Sequence, residues 1–226
     1  MKYKRLMEAV FVKRINRFTA IALVDGREEL CHVKNTGRLR ELLFPGVEVL
    51  LEPSDNPNRK TKYSLICVRQ EEQWVNIDSQ APNALVEEWI KDGYFWEKVT
   101  LVKREKVFKD SRFDFYLETD QNKWLMEVKG VTLSVGDTAL FPDAPTLRGL
   151  KHVKELTGAM KEGYCTAVFF VIQKKGVRQF RPNEKRQPEF ATALRKAKEA
   201  GVKLFAADCL VDREKIKIDG EIQIIL

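Results

Sequence analysis

Two neighbouring stretches of this 226-residue chain place acidic groups where they could share a cation. In Ser111-Arg112-Phe113-Asp114-Phe115-Tyr116-Leu117, strand alternation puts Phe113, Phe115 and Leu117 on one face and Asp114 on the other, with Arg112 and Tyr116. Trp124 to Lys129 reads as the next strand, and Glu127 and Lys129, two apart, share a face. The polar connection Thr119-Asp120-Gln121-Asn122 fits a four-residue hairpin loop. Glu118 then opposes Lys123, and stepping back four pairs sets Asp114 opposite Glu127. Directly opposed residues carry Cβ atoms roughly 4.5–5.5 Å apart. Two carboxylates held so closely repel, and a divalent cation between them removes the penalty. Mg²⁺ suits this role, since it takes one or two carboxylates and keeps several waters. Lys129 beside them can orient a water or stabilise charge developing on a phosphate. Taken singly, Asp114 or the Glu-x-Lys triplet would read as a solvated sheet face with Lys129 as counter-ion.

Other groups suit an anionic partner. Arg14, Asn16, Arg17 and Phe18 mix charge, amide and aromatic, a combination suited to backbone and base contacts; a polar strand end is the plainer alternative. Asn35-Thr36-Gly37-Arg38 can present backbone N–H groups and a guanidinium to a phosphate, or simply turn the chain into a helix. Arg59, Lys60 and Lys62 flank a loop. Arg148, Lys151 and His152 fall in the first turns of a helix. His152 has no cysteine or second histidine at ligand spacing, so zinc is not expected there and a DNA-facing or buried structural role is. No phosphate-binding GxxxxGK[ST], no GxGxxG and no Ser-His-Asp arrangement is evident.

The elements that must position these groups fall into two patterns. Residues 1–80 read as short strands: Thr19 to Val24, a tight turn at Asp25-Gly26, Glu29 to Lys34, Val47 to Leu51 and Lys62 to Arg69. A short helical stretch spans Leu39 to Leu43 and stops at Pro45-Gly46. Such a segment suits a small closed barrel of the oligonucleotide-binding (OB) type, with an SH3-like barrel as the rival. Asp78-Ser79-Gln80-Ala81-Pro82 is the boundary. Residues 81–226 alternate helices and strands in the order αβββαβαβ, a mixed sheet flanked by helices. Asn83 is expected to cap the first helix, on Leu85, Val86, Trp89 and Ile90. The second runs from Leu147 to Met160, with Leu147, Leu150, Val153 and Leu156 as its buried stripe. Pro188 opens the third, and Lys215 to Leu226 reads as a final hairpin around Asp219-Gly220.

Composition agrees with a packed protein that meets an anion. Hydrophobic residues make up 44% and charged residues 32%, with a net charge of +7 and a pI near 9.2. Both halves carry a modest basic excess, so any anion-binding surface is folded and shared. Cys31, Cys67, Cys165 and Cys209 sit far apart in apolar runs, as buried reduced thiols do. With no signal peptide and no apolar run of membrane-spanning length, a cytoplasmic protein with no membrane partner is expected. The oligomeric state stays open, a homo-oligomer included.

Asp, a variable gap and then Glu-x-Lys on a hairpin resembles the signature of the PD-(D/E)XK nuclease-like superfamily, and the αβββαβ order resembles its core. That resemblance implies Mg²⁺ or Mn²⁺ on Asp114 and Glu127, with Lys129 assisting attack of water on phosphate. Glu87, Glu88 and Glu105 are weaker candidates for a further acidic residue, and Gln173, ending a buried strand, for a further site residue. A longer resemblance covers nearly the whole chain. Arg14-Ile15-Asn16-Arg17-Phe18, His32 to Leu39, Arg59 to Tyr63, Ser111 to Phe115, Glu127 to Leu133 and Phe141 to His152 resemble ordered motifs of the sugar fermentation stimulation protein A family. It implies a DNA partner and a regulatory role in sugar metabolism, maltose included. With such a partner, the DNA contacts expected from residue type and position are Arg14, Asn16, Arg17, Phe18, Asn35, Arg38, Arg59, Lys62, Arg148 and Lys151. Two functions follow: a DNA-binding regulator carrying a nuclease-type metal site, or a Mg²⁺-dependent nuclease hydrolysing DNA phosphodiester bonds.

Overall fold

Six strands open the chain: β1 (Met7–Arg14), β2 (Thr19–Val24), β3 (Arg27–Val33), β4 (Glu48–Pro53), β5 (Tyr63–Gln70) and β6 (Gln73–Asn76). Their order is β3-β2-β1-β4-β5-β6, and a parallel pairing of β3 with β5 closes the first five into a barrel. This closure is that of an OB-type barrel, not an SH3-like one. At the β2–β3 hairpin Val24 pairs with Arg27. Asp25 and Gly26 take φ of 49° and 77°, the left-handed pair that a two-residue turn needs to match strand twist. Phe11, Ala20, Val33, Leu51 and Leu65 fill the barrel interior. The expected helix at Leu39 to Leu43 is only one turn, in which Leu42 and Leu43 both donate to Leu39 O, at 3.1 and 2.8 Å. A five-residue segment stopped by Pro45-Gly46 cannot repay helix nucleation.

The structure, a computed structural model, describes all 226 residues. They divide into two units, one of Met1–Ala81, Gln173–Lys175 and Cys209–Lys217, the other of Pro82–Ile172, Gly176–Asp208 and Ile218–Leu226. The second unit's chain continues as α1 (Ala81–Lys91), β7 (Val99–Phe108), β8 (Ser111–Thr119), β9 (Lys123–Val131), β10 (Ser134–Val135), β11 (Thr138–Phe141), α2 (Leu147–Ala159), β12 (Cys165–Ile172), β13 (Gln179–Pro182), α3 (Pro188–Glu199), β14 (Lys203–Val211), β15 (Ile216–Glu221) and β16 (Gln223–Ile224). The main sheet runs β15-β14-β12-β9-β8-β7. β7, β8 and β9 pair antiparallel, whereas β9, β12 and β14 pair parallel, so the sheet is mixed. A smaller sheet has the order β10-β11-β13-β16. The expected terminal hairpin is therefore absent: Asp219 and Gly220 lie within β15, and β16 joins the smaller sheet. Gly220 N–H donates to Asp208 Oδ1 at 3.0 Å, which keeps the Asp-Gly pair extended.

Helices cover both faces of the main sheet. Val153 and Leu156 of α2 and Phe190 and Leu194 of α3 pack with Leu125, Val168 and Phe170. Phe169 points to the other face, where Trp89 of α1 meets it edge-on at 5.1 Å. Each such fully buried phenylalanine contributes about 1.5–3 kcal/mol by removal from water. Thr146 caps α2 by accepting Gly149 N–H at 2.9 Å. A Cβ on Gly149 would lie 2.8 Å from Thr146 Cγ2, so a glycine is needed for the cap to close. The buried face of α2 is Gly149, His152, Val153, Leu156 and Ala159. The expected stripe is rotated, with Leu147 left 82% exposed and His152 turned inward.

Candidate metal site

The β8–β9 hairpin has the register that its four-residue turn implies. Glu118 pairs with Lys123, and the ladder runs on to Phe115 with Met126. One step further the regular pattern opens. Val128 N–H donates to Asp114 Oδ2 at 2.8 Å, so a side-chain oxygen takes the hydrogen bond of the residue after Glu127. On the other edge of β8 the ladder to β7 likewise skips Asp114 and its opposite number Glu105, which stands at φ 54°. A non-glycine residue in that conformation marks local strain. Alternation breaks here too. Phe113 shares the α2-side core with Tyr116, rather than facing with Phe115 and Leu117 as regular alternation would have it.

Helices from both faces of the sheet reach the two carboxylates. From α1, Asn83 Nδ2 donates to Asp114 Oδ1 at 2.9 Å. Asn83 is therefore not the cap expected of it: α1 begins two residues earlier, where Asp78 O accepts Ala81 N–H at 3.1 Å. From α2, buried His152 places Nδ1 at 2.5 Å from Glu127 Oε1. Lys129 Nζ holds that same Oε1. A carboxylate can only accept, so His152 donates through Nδ1. The other oxygen, Glu127 Oε2, is buried and has no hydrogen-bond partner in the protein.

The two acids are electrostatically unequal. Burial and the neighbouring charge of Glu127 hold the Asp114 carboxyl above its ordinary pKa, against the Val128 and Asn83 hydrogen bonds and the charge of Lys129. Burial alone would raise Glu127 as well. The His152 hydrogen bond and the Lys129 charge outweigh it and keep Glu127 below its ordinary value. The site thus sets a carboxylate held below its ordinary pKa, with an orphaned oxygen, beside one held above it. No group of three or more His, Cys, Asp or Glu side chains is placed to hold a metal. A cation here would take these two carboxylates and fill its shell with water or phosphate oxygens, which is how Mg²⁺ is usually held. Buried polar atoms without partners are uncommon, and Oε2, unlike the other such atoms, stands on a carboxylate beside a second buried acid, a donor set that fits a divalent cation.

The remaining candidates lie elsewhere or do other work. Glu87 is taken by Lys91 and Arg104, and Glu105 by Arg112 at 3.3 Å; Glu88 lies on the same helix as Glu87. Gln173 belongs to the first unit, where its Nε2 donates to Asn76 Oδ1 at 2.8 Å and Asp78 O at 3.0 Å. Arg148 is exposed in the first turn of α2, and Lys151 Nζ donates to Asp110 O at 3.0 Å. Sequence reasoning missed Asn83 and the role of His152. The available signal for His152 was a polar residue beside Val153 on an apolar helix face.

On the barrel, Arg14, Asn16, Arg17, Thr36, Gly37, Arg38 and Arg40 line a cleft of about 470 Å³. Arg14 is its scaffold. Nε donates to Asn16 O at 3.1 Å, Nη1 to Gly37 O at 2.5 Å and Arg38 O at 3.0 Å, and Nη2 to Arg17 O at 2.7 Å and Asn35 O at 2.6 Å. All five donors of a guanidinium are thereby used, so the expected phosphate contact by Arg14 is corrected to an internal one. Asn16 and Asn35 are likewise turn-formers, accepting Phe18 and Gly37 N–H, each at 2.8 Å. Arg17, Arg38 and Arg40 are exposed, and Arg17 lies 4.8 Å above the half-exposed Phe18 ring. Arg59 sits close enough to His32 to help burial lower its pKa. Lys62 pairs with Glu29 at 2.9 Å.

Residues 80–215 match the family model described as the sugar fermentation stimulation protein RE domain, and residues 12–77 match the SfsA N-terminal OB domain. A sugar fermentation stimulation protein homolog of Ruminiclostridium cellulolyticum is 48% identical over 100% of both chains. One of Clostridium beijerinckii is 50% identical, again over 100% of both. Among solved structures, Pyrococcus furiosus SfsA in complex with Ca²⁺ matches at a TM-score of 0.92 and 29% identity, covering 100% of this chain and 98% of that one.

Proposed function

The chain belongs to the sugar fermentation stimulation protein family, and we propose that it binds DNA and holds Mg²⁺ or Mn²⁺ between Asp114 and Glu127, in a site equipped to hydrolyse a phosphodiester bond. The observation that carries this reading is the buried, partnerless Oε2 of Glu127, beside a second carboxylate whose charge is costly without a cation. The Ca²⁺ of the Pyrococcus furiosus relative supports a divalent ion in this fold.

When bound, such a cation lowers the pKa of a coordinated water and polarises a phosphoryl oxygen. The protein does the rest. Asn83 and Val128 N–H hold Asp114 from both oxygens, and His152 holds Glu127 from one. Lys129 is nearly buried and keeps its ammonium beside Glu127, where it can meet a phosphate oxygen or the attacking water. On the barrel, Arg17, Arg38 and Arg40 supply the phosphate contacts, and Phe18 with Arg17 supplies a face for a base. None of the four cysteines is in a disulfide, which supports a cytoplasmic protein, and no helix is long and apolar enough to cross a membrane.

The relatives' name favours a second reading, a DNA-binding regulator of sugar use in which the same cation holds the site together. Incubating the purified protein with single- and double-stranded DNA, in Mg²⁺, in Mn²⁺ and in chelator, separates the two. Metal-dependent cleavage supports the nuclease. Metal-independent binding without cleavage of any DNA form favours the regulator.

A further inference from the structure

Glu127 offers its two oxygens very different surroundings. Oε1 is held twice, by His152 Nδ1 from α2 at 2.5 Å and by Lys129 from its own strand. Oε2 is buried and bare. Without His152 only the flexible Lys129 side chain would oppose rotation of the carboxyl about its last torsion, which is broad for glutamate, and exchange of its oxygens. His152 cannot easily move: it is 3% exposed, packed edge-on to Phe113 at 5.7 Å, and carried by a helix whose start is set by the Thr146 cap. Its burial on the apolar face of α2 costs solvation of a polar ring, an arrangement that packing alone does not require.

We propose that His152 is the positioning residue of this site, its Nδ1–H fixing Oε1 of Glu127 so that Oε2 is the single oxygen Glu127 gives to a divalent cation. This rests on the reading of Asp114 and Glu127 as cation ligands, and it adds the residue that makes the ligation one-oxygened and directed. It also assigns Lys129 a double duty, since the lysine shares the oxygen that the cation does not use. The arrangement is the carboxylate counterpart of an outer partner orienting a metal-bound histidine, where loss of the partner typically costs about 10–100-fold in metal affinity.

The test is Mn²⁺ binding by calorimetry to the full chain and to His152→Leu, His152→Asn and Glu127→Gln, with near-ultraviolet dichroism to verify folding. His152→Leu keeps volume and removes the donor, and should weaken Mn²⁺ binding about 10–100-fold. His152→Asn places an amide N–H near the position of Nδ1 and should recover most of that loss. Recovery by Asn but not Leu is what a merely space-filling histidine would not produce. Equal Mn²⁺ affinity in His152→Leu, with Glu127→Gln impaired, overturns the positioning role and leaves the metal reading intact. No Mn²⁺ binding by the unsubstituted protein overturns both. If the leucine variant does not fold, ¹⁵N spectra of the histidine rings in the unsubstituted protein decide instead. His152 should be protonated at Nδ1, and its signals should move on adding Mg²⁺; a ring protonated only at Nε2, or one indifferent to Mg²⁺, overturns the proposal.

Discussion

Val128 N–H donates to Asp114 Oδ2 at 2.8 Å, so the residue between Glu127 and Lys129 clamps the carboxylate of the neighbouring strand. The clamp brings Asp114 within the field of Glu127, and burial together with that field raises the Asp114 pKa. A raised folded-state pKa on an acid means that its stabilising contribution is fully present below the ordinary aspartate pKa. It is lost as pH rises through the higher folded value.

The ionised Asp114 therefore carries an electrostatic penalty that a cation bound as proposed would relieve. Melting temperature should rise with Mn²⁺, and at 100 times the dissociation constant the gain is about 2.7 kcal/mol. The gain should be larger at pH 7.5 than at pH 5, where a proton competes for Asp114. Thermal scans of the native chain and Asp114→Asn check this. An unchanged Mn²⁺ increment in the variant would remove Asp114 from the site.

Lys129 shares Oε1 of Glu127 with His152, and in the proposed function its ammonium meets charge developing on a phosphate. Lys129→Met keeps much of the volume and removes the charge. If the protein cleaves DNA, the rate should fall on the order of 10²–10³-fold, with DNA affinity little changed. Single-turnover cleavage alongside equilibrium binding separates these effects. Parallel losses in both would make the lysine a DNA contact instead.

The candidate site was legible to the extent that it depends on local register. The polar four-residue turn after Glu118 set the pairing with Lys123, and Glu127 and Lys129 followed by strand periodicity. What was not legible depends on long-range contacts. Asn83 reads as a helix cap, yet Asp78 starts the helix and Asn83 crosses to Asp114. The inward face of α2 is chosen by packing on the sheet, which turns His152 in and leaves Leu147 outside. Gln173–Lys175 and Cys209–Lys217 fold with the barrel unit without any local sign of it. Arg14 beside Arg17 looks like one more exposed cation, because sequence does not show that Asn16, Asn35, Gly37 and Arg38 turn their carbonyls toward it.

The cysteines provide a chemical check on burial. Cys31 and Cys67 are fully buried, which pushes both thiols up to about 12. Cys165 is partly exposed, and burial raises it less drastically. The thiolate is the reactive form, so at pH 8 an alkylating reagent should modify Cys165 first and leave Cys31 and Cys67 intact until denaturant is added. Peptide mass mapping over time checks the order. Early modification of Cys31 would mean that the barrel opens readily.

The last prediction separates scaffold from contact in the arginine cleft. Arg14 satisfies five carbonyls from two loops, and burial lowers its pKa. Arg14→Ala leaves those carbonyls without their donor in a partly buried setting. Hydrogen bonds to a charged group contribute about 1.5–3 kcal/mol each and are not additive, so a loss on the order of 3 kcal/mol is expected. Arg14→Lys should not restore it, because an ammonium has three donors on one atom and cannot span the planar fork. Arg17 and Arg38 are exposed and belong to the same cleft. The double variant Arg17→Ala with Arg38→Ala should leave stability almost unchanged. It should weaken DNA binding across sequences and make the slope of log affinity against log salt shallower by about 2, near 0.9 for each lost phosphate contact on duplex DNA. Denaturant midpoints and binding titrations from 50 to 200 mM salt measure both quantities on the same proteins. An unaltered salt slope would move the DNA surface away from this cleft, whereas an Arg14→Ala variant as stable as the parent would contradict its role as the hub of the two loops.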